Sequence, residues 1–139
     1  MEEARALRGT IPGLHTKNLF LKDRKGALFL VTAPEDAALD LKQIHVALGA
    51  KGRVSFASGE RLIEVLGVEP GSVTPLALVN DDERRVTFVL HQAFRAAELV
   101  NVHPLRNDAT LTLRVEDLYR FLRHIGREPD IRDLPEAAV

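Results

Sequence analysis

The chain has 139 residues, 45% hydrophobic and 28% charged, with 19 basic and 20 acidic side chains and a net charge of −1. This length suits one domain, 1–139, with a core of its own. The absence of cysteine excludes disulfides, thiolate zinc sites and a thiol nucleophile. No apolar run approaches the roughly 20 residues of a membrane helix. The acidic start, Met1 to Arg5, does not read as a secretion signal, and a reducing cytoplasm is the default location.

Met1 to Arg8 reads as a short helix ended by Gly9. Asn18 to Asp23 and Leu28 to Ala33 are apolar-rich runs around Arg24-Lys25-Gly26, the signature of a hairpin. Asp40 with Gln43 resembles a capping box, opening a helix through Ile44 and Leu48 that stops at Gly49. Arg53 to Ala57 reads as a short strand. Ser58 can cap a helix through Leu62, Ile63 and Leu66, closed by Gly67. A glycine-proline loop runs from Val68 to Pro75.

Leu76 to Asn80 and Arg85 to Leu90 flank a polar turn and read as a second hairpin. Ala93 to Leu99 reads as a short helix, and Val100 to His103 and Thr110 to Arg114 as strands. Val115, Leu118, Phe121, Leu122 and Ile125 fall at helical spacing, and Gly126 ends that helix with Pro129 beyond it. The pattern predicts an α+β fold: a mixed, mostly antiparallel sheet with packed helices. No phosphate-binding glycine motif occurs, which disfavours a doubly wound nucleotide fold.

The near-neutral charge argues against a general nucleic-acid binder. Lys17, Lys22, Arg24 and Lys25 nevertheless cluster, with Lys51 and Arg53 in the same half of the chain. Such a patch can hold phosphate backbone, or it can be a solvated hairpin edge. The five histidines form no H-x-x-x-H or H-E-x-x-H pattern, and there is no G-x-S-x-G elbow. His45 and His124 fall on predicted helices, while His15 and His103 stand at segment ends where they can line a cleft.

The run His15-Thr16-Lys17-Asn18-Leu19-Phe20-Leu21-Lys22-Asp23 resembles the signature of the YbaK/prolyl-tRNA editing family, ProX branch. Four further segments agree in order: Leu39 to Lys42, Gly67 to Pro75, Val102-His103-Pro104-Leu105 with Asn107 and Thr110, and Gly126 to Pro129. Members of that family usually carry a further helix and strand before the region that begins here at Glu2. Their lack would leave an open sheet edge or favour a homodimer.

The resemblance implies the YbaK-like synthetase-associated fold and a deacylase for mischarged tRNA(Pro), chiefly alanyl-tRNA(Pro). Relatives in the wider family act on cysteinyl- or seryl-tRNAs. It implies no metal, no cofactor and no protein nucleophile: water attacks the ester, helped by a hydroxyl of the terminal ribose. The partners implied are the acceptor end of an aminoacyl-tRNA and a prolyl-tRNA synthetase. Lys17 would hold the phosphate or ribose end, Gly71 would offer a backbone N–H to the oxyanion, and His103 would contact the amino acid or ribose. Thr16, Asn18, Lys22, Ser72, Thr74 and Pro75 would bind substrate, with Thr74 and Pro75 walling a small pocket. Each has a plainer role open to it: solvated lysine, turn cap, Pro-Gly turn or core hydrogen bond. A non-catalytic tRNA-end or nucleotide binding module, or an accessory subunit of a synthetase, is the alternative function.

Overall fold

The computed structural model describes residues 13–69, 72–81, 83–102 and 111–136. The expected helix at Met1 to Arg8 lies outside them, as do Gly71 and His103.

Strands β1 (Leu14–Lys22) and β2 (Leu28–Pro34) form the expected hairpin, in register from Thr16 opposite Pro34 to Lys22 opposite Leu28. The turn is built by two residues. Gly26 takes φ 87°, which a side chain would resist. Asp23 accepts the backbone N–H of Lys25 and of Ala27, each at 2.9 Å.

All seven residues of β2 are buried. Its sequence, LFLVTAP, is a near-continuous apolar run because both faces of this central strand are covered. On one face Phe20, Leu30 and Phe88 pack with Leu62, Leu66, Leu118 and Leu122. On the other, Leu21, Phe29, Val31 and Val89 pack with Ile44, Leu48 and Leu134. A fully buried leucine or valine contributes about 1.5–3 kcal/mol, so these two layers carry most of the folding free energy.

The helices follow from their caps and stripes. α1 (Ile44–Leu48) ends at Gly49 in the left-handed region, φ 69°. The Asp40 signal builds a turn one step earlier than expected: Asp40 carbonyl accepts from Gln43 and Ile44, while Gln43 is the flanking residue of the helix. α2 (Gly59–Leu66) is capped by Ser58, whose hydroxyl accepts from Arg61 N–H at 3.2 Å, and closes at Gly67. α3 (Val115–His124) buries Val115, Leu118 and Leu122, with Glu116 and Asp117 in its first turn and Arg123 and His124 in its last. That charge order complements the helix dipole.

The remaining strands are β3 (Ser55–Phe56), β4 (Val86–His91), β5 (Leu99–Val102), β6 (Leu111–Arg114) and β7 (Ile131–Arg132). The sheet runs β6-β5-β1-β2-β4-β7, with β3 also on β1. β1–β2, β1–β3 and β5–β6 are antiparallel; β1–β5, β2–β4 and β4–β7 are parallel. The sheet is therefore mixed, with antiparallel residue pairs in the majority, as the α+β reading expects.

Two local expectations are corrected, and one strand is additional. The second hairpin does not form: Pro75–Asn80 is a 3₁₀ helix, started by Pro75 and capped by the Thr74 hydroxyl on Leu76 N–H. The polar residue after it, Asp81, is buried and accepts from Arg85 and Val86 N–H and from Arg127 Nη2. It thus turns the chain into β4, which pairs with β2 in parallel rather than with Leu76 to Asn80. The helix expected over Ala93 to Leu99 shrinks to one 3₁₀ turn, Gln92–Arg95, because Leu99 already pairs with Arg114 in β5. β7 was not expected at all; two residues are too few to show a periodicity.

Candidate active site

The motif residues sit on the first half of β1. Side chains alternate along a strand, so Thr16 and Asn18 share the face of Phe20 while Lys17 shares that of Leu19 and Leu21. β5 pairs with β1 only at Leu14 and His15, and β3 only at Leu21 and Lys22. Among the described residues, no strand covers the intervening edge of β1. The result is a notch in the sheet edge, closed toward β3 by Ala57 N–H on Phe20 carbonyl at 2.9 Å.

Each motif side chain is fastened to a distant segment. Thr16 Oγ1 donates to Asn101 carbonyl at 2.8 Å, across 85 residues. Asn101 is itself buried, and its Oδ1 accepts from Thr112 Oγ1 at 2.6 Å. Asn18 Nδ2 donates to Val73 carbonyl at 3.0 Å, and its Oδ1 accepts from Thr32 Oγ1. Lys17 Nζ donates to Ala37 carbonyl, in the turn that follows β2. An ammonium has three donors, so two remain for a ligand. That turn is itself held to β1 by Glu35 N–H on His15 carbonyl at 2.8 Å.

The glycine-proline loop reaches the same place. Ser72 N–H closes a turn onto Glu69 carbonyl at 2.9 Å, and Val73 then meets Asn18. Thr74 and Pro75, expected as pocket walls, are buried, and the Thr74 hydroxyl is used in capping. They anchor the loop from below. β5 meets β1 at Leu14 opposite Val100 and His15 opposite Asn101, and Val102 follows Asn101 at the end of β5. Val73 and Asn101, each two residues from Gly71 and His103 in sequence, thus bond to Asn18 and Thr16 of β1.

Lys22 does not join this group. It lies five residues further along β1, about 17 Å at ~3.3 Å per residue, exposed and opposite Ser55. Sequence reasoning missed Thr32, Ala37 and Asn101. Thr32 and Asn101 had a signal, each being a polar interruption of an apolar strand. Ala37 had none, because it acts through a backbone carbonyl.

Among the described residues, no group of three histidine or acidic side chains is placed to hold a metal ion. A separate cleft of about 620 Å³ opens at the other end of β5, floored by Phe94, Leu99, Val115 and Tyr119. Burial raises the Tyr119 phenol above its ordinary value, with Arg123 opposing. None of the described motif residues lines this cleft.

Thr16, Lys17 and Asn18 are thus tied to three distant segments at one edge of the sheet. Residues 1–121 match the family described as the aminoacyl-tRNA editing domain, and the chain belongs to that family. It is 41% identical to prolyl-tRNA synthetase associated domain-containing protein 1 of Bos taurus over 125 residues, covering 87% of this chain and 72% of the relative. It is 38% identical over 111 residues to the prolyl-tRNA editing protein ProX of Acetoanaerobium sticklandii, covering 79% of this chain and 67% of that protein. The fold matches two crystal structures at TM-score 0.72. Hypothetical protein APE2540 is 22% identical, with 96% of this chain and 81% of that one covered. A protein described as a candidate trans-editing enzyme for prolyl tRNA synthetase is 21% identical, with 98% and 79% covered. No helix among the described residues is long and apolar enough to cross a membrane.

Proposed function

We propose that the chain is a trans-acting hydrolase that removes a wrongly attached amino acid, alanine foremost, from tRNA(Pro). The observation that carries this reading is the convergence on Thr16 to Asn18 of the segments bearing Val73 and Asn101. Membership of the editing-domain family supports it, and the ProX relative carries prolyl-tRNA editing in its name.

In this mechanism the aminoacylated 3′ end enters the notch of β1. Lys17 holds the phosphate or ribose oxygen with its free N–H donors; a compact ammonium suits that task better than a guanidinium plane. A ribose hydroxyl orients the attacking water. Water oxygen bonds to the ester carbonyl carbon, and the negative charge that develops on the carbonyl oxygen meets the backbone N–H of Gly71. Donors placed in advance at such a charge are a large catalytic term. The carbon–oxygen bond to the ribose then breaks, the ribose oxygen takes the proton, and the free amino acid leaves. His103 contacts the amino acid or ribose, and Ser72 flanks the loop.

The bovine relative is named only for its association with a synthetase, which favours, as a second reading, a tRNA-end module or accessory subunit without hydrolysis. Single-turnover hydrolysis of alanyl-, cysteinyl- and seryl-tRNA(Pro) separates the two. Loss of alanine faster than in buffer is the expected result. Unchanged half-lives for all three esters, with tRNA still bound, would establish the binding module instead.

A further inference from the structure

The far end of β1 carries a second feature that the hydrolysis does not use. The hairpin turn presents Lys22, Arg24 and Lys25, and the loop after α1 presents Lys51 and Arg53. The fold joins these segments: Arg24 N–H donates to Lys51 carbonyl at 3.2 Å, and Lys51 N–H donates to Asp23 Oδ2 at 2.9 Å. The Arg24 stem lies across Gly52, where a Cβ would stand 3.0 Å from its Cδ. All five basic side chains are exposed, and among the described residues none has an ion-pair partner. The one carboxylate within the two segments, Asp23, is 6% exposed and bonds to backbone N–H groups.

Beside the cations stands Phe56 of β3, 58% exposed and directly opposite Leu21. Strand pairing puts it on the sheet face that Lys17 also uses, while Lys22, opposite Ser55, leaves the strand by the other face at its end. Edge lysines that deter sheet-to-sheet pairing would account for Lys22 and Lys25. They would not account for cations brought together from two separate segments, nor for a large aromatic ring left in water at the neighbouring strand position.

The geometry points to a docking surface for the tRNA itself, upstream of its aminoacylated end. The cations meet the phosphate backbone and Phe56 offers its ring face to a base. This inference rests on the proposed function. Unpaired cations in the same end of the sheet as an exposed aromatic ring are the pattern that holds nucleic-acid strands without reading their sequence. A charge-only acidic protein segment would leave Phe56 unused. At about 17 Å from Lys17 along a strand rising ~3.3 Å per residue, the patch is too far to touch the ester. It therefore contributes to binding and leaves the chemical step alone.

The test uses the full chain with Lys51→Gln/Arg53→Gln and with Phe56→Ala. Affinity for uncharged tRNA(Pro) is measured from 50 to 200 mM salt, and single-turnover hydrolysis is followed for alanyl-tRNA(Pro) and for 3′-alanyl-adenosine. The double variant is expected to bind tRNA at least tenfold more weakly, with a salt slope shallower by about 0.7–0.9 for each cation removed. Phe56→Ala should cost about tenfold in Kd with the slope unchanged. Hydrolysis of alanyl-adenosine should keep its parent rate in both. Parent affinity and slope for tRNA would overturn the inference. So would an equal loss on alanyl-adenosine, or weakened binding of polyglutamate alone, which would assign the patch to an acidic protein. If the parent chain hydrolyses neither ester, the proposed function fails, while the salt slope on uncharged tRNA still decides the docking surface.

Discussion

The two ends of β1 solve opposite problems with similar residues. At Thr16 to Asn18, polar side chains are committed to other segments: Thr16 to Asn101, Asn18 to Val73 and Thr32, Lys17 to Ala37. At Lys22 to Lys25 the committed group is a single carboxylate, Asp23, and the cations around it stay in water. A chemical step needs groups held to fractions of an ångström. Contact with a phosphate backbone needs charge at the right place and tolerates motion. On the proposed function, this difference in wiring separates a reaction centre from a docking surface on one strand.

The comparison breaks first, and by most, at Lys17. Lys17→Ala should lower single-turnover hydrolysis of alanyl-tRNA(Pro) by about 100-fold or more. Its melting temperature should stay close to the parent's, because one contact to a carbonyl is a small part of the fold. Lys17→Arg should rescue little, since a planar fork does not replace a point charge. A collapsed melting temperature would make Lys17 a scaffold residue.

Asn18→Ala comes next. It would leave Val73 carbonyl and Thr32 hydroxyl without their partner, costing about 2 kcal/mol in urea unfolding. It should also slow hydrolysis, because the loop bearing Gly71 would lose its tie to β1. Full activity with reduced stability would separate the loop from the chemistry.

At the other end the expected effects are smaller. Backbone N–H donors, Lys51 first, hold the Asp23 carboxyl below its ordinary value of 3.8. A lowered folded value means that the ionised carboxylate stabilises the fold above pH 3.8 and that this contribution is lost as pH falls through the folded value. Asp23→Asn should therefore melt lower than the parent at pH 7, and the gap should close on acidification, read by melts from pH 7 to pH 2. Hydrolysis of alanyl-adenosine should not change. Smallest of all, Gly26→Ala should cost about 1 kcal/mol from its left-handed φ, since nothing lies within 4 Å of the added methyl group. A larger loss in denaturant titration would mean that the turn has packing duties beyond its backbone.

Much of this was legible in the residues because it is local. Ser58, Gly67, Gly49 and the stripe from Val115 to Ile125 act within a turn or two of where they stand, and the helices form where they indicate. The β1–β2 hairpin is legible for the same reason. The Leu76 to Asn80 run misleads because an apolar stretch of that length suits a buried strand and a buried 3₁₀ turn equally, and Pro75 with Thr74 decides the matter. The parallel partners of β1 and β2 were not legible, since they come from residues far along the chain. At the site, the motif marked Lys17 and Asn18, but spacing could not show that they leave the strand on opposite faces of a notch. Gly71 and His103 fall outside the described residues, so their roles rest on the family resemblance and on the positions of Val73, Asn101 and Val102.

The bond from Thr16 to Asn101 spans 85 residues, whereas the hairpin around Asp23 closes within a few. Short loops close at lower entropic cost and sooner than long ones. During folding the cationic turn can therefore take shape while the notch is still incomplete, because the notch waits for β5 to arrive from the second half of the chain. If the chain hydrolyses the ester as proposed, recovery of hydrolysis after dilution from denaturant is a clock for the last long-range pairing of the sheet, and it runs behind the clock of the turn.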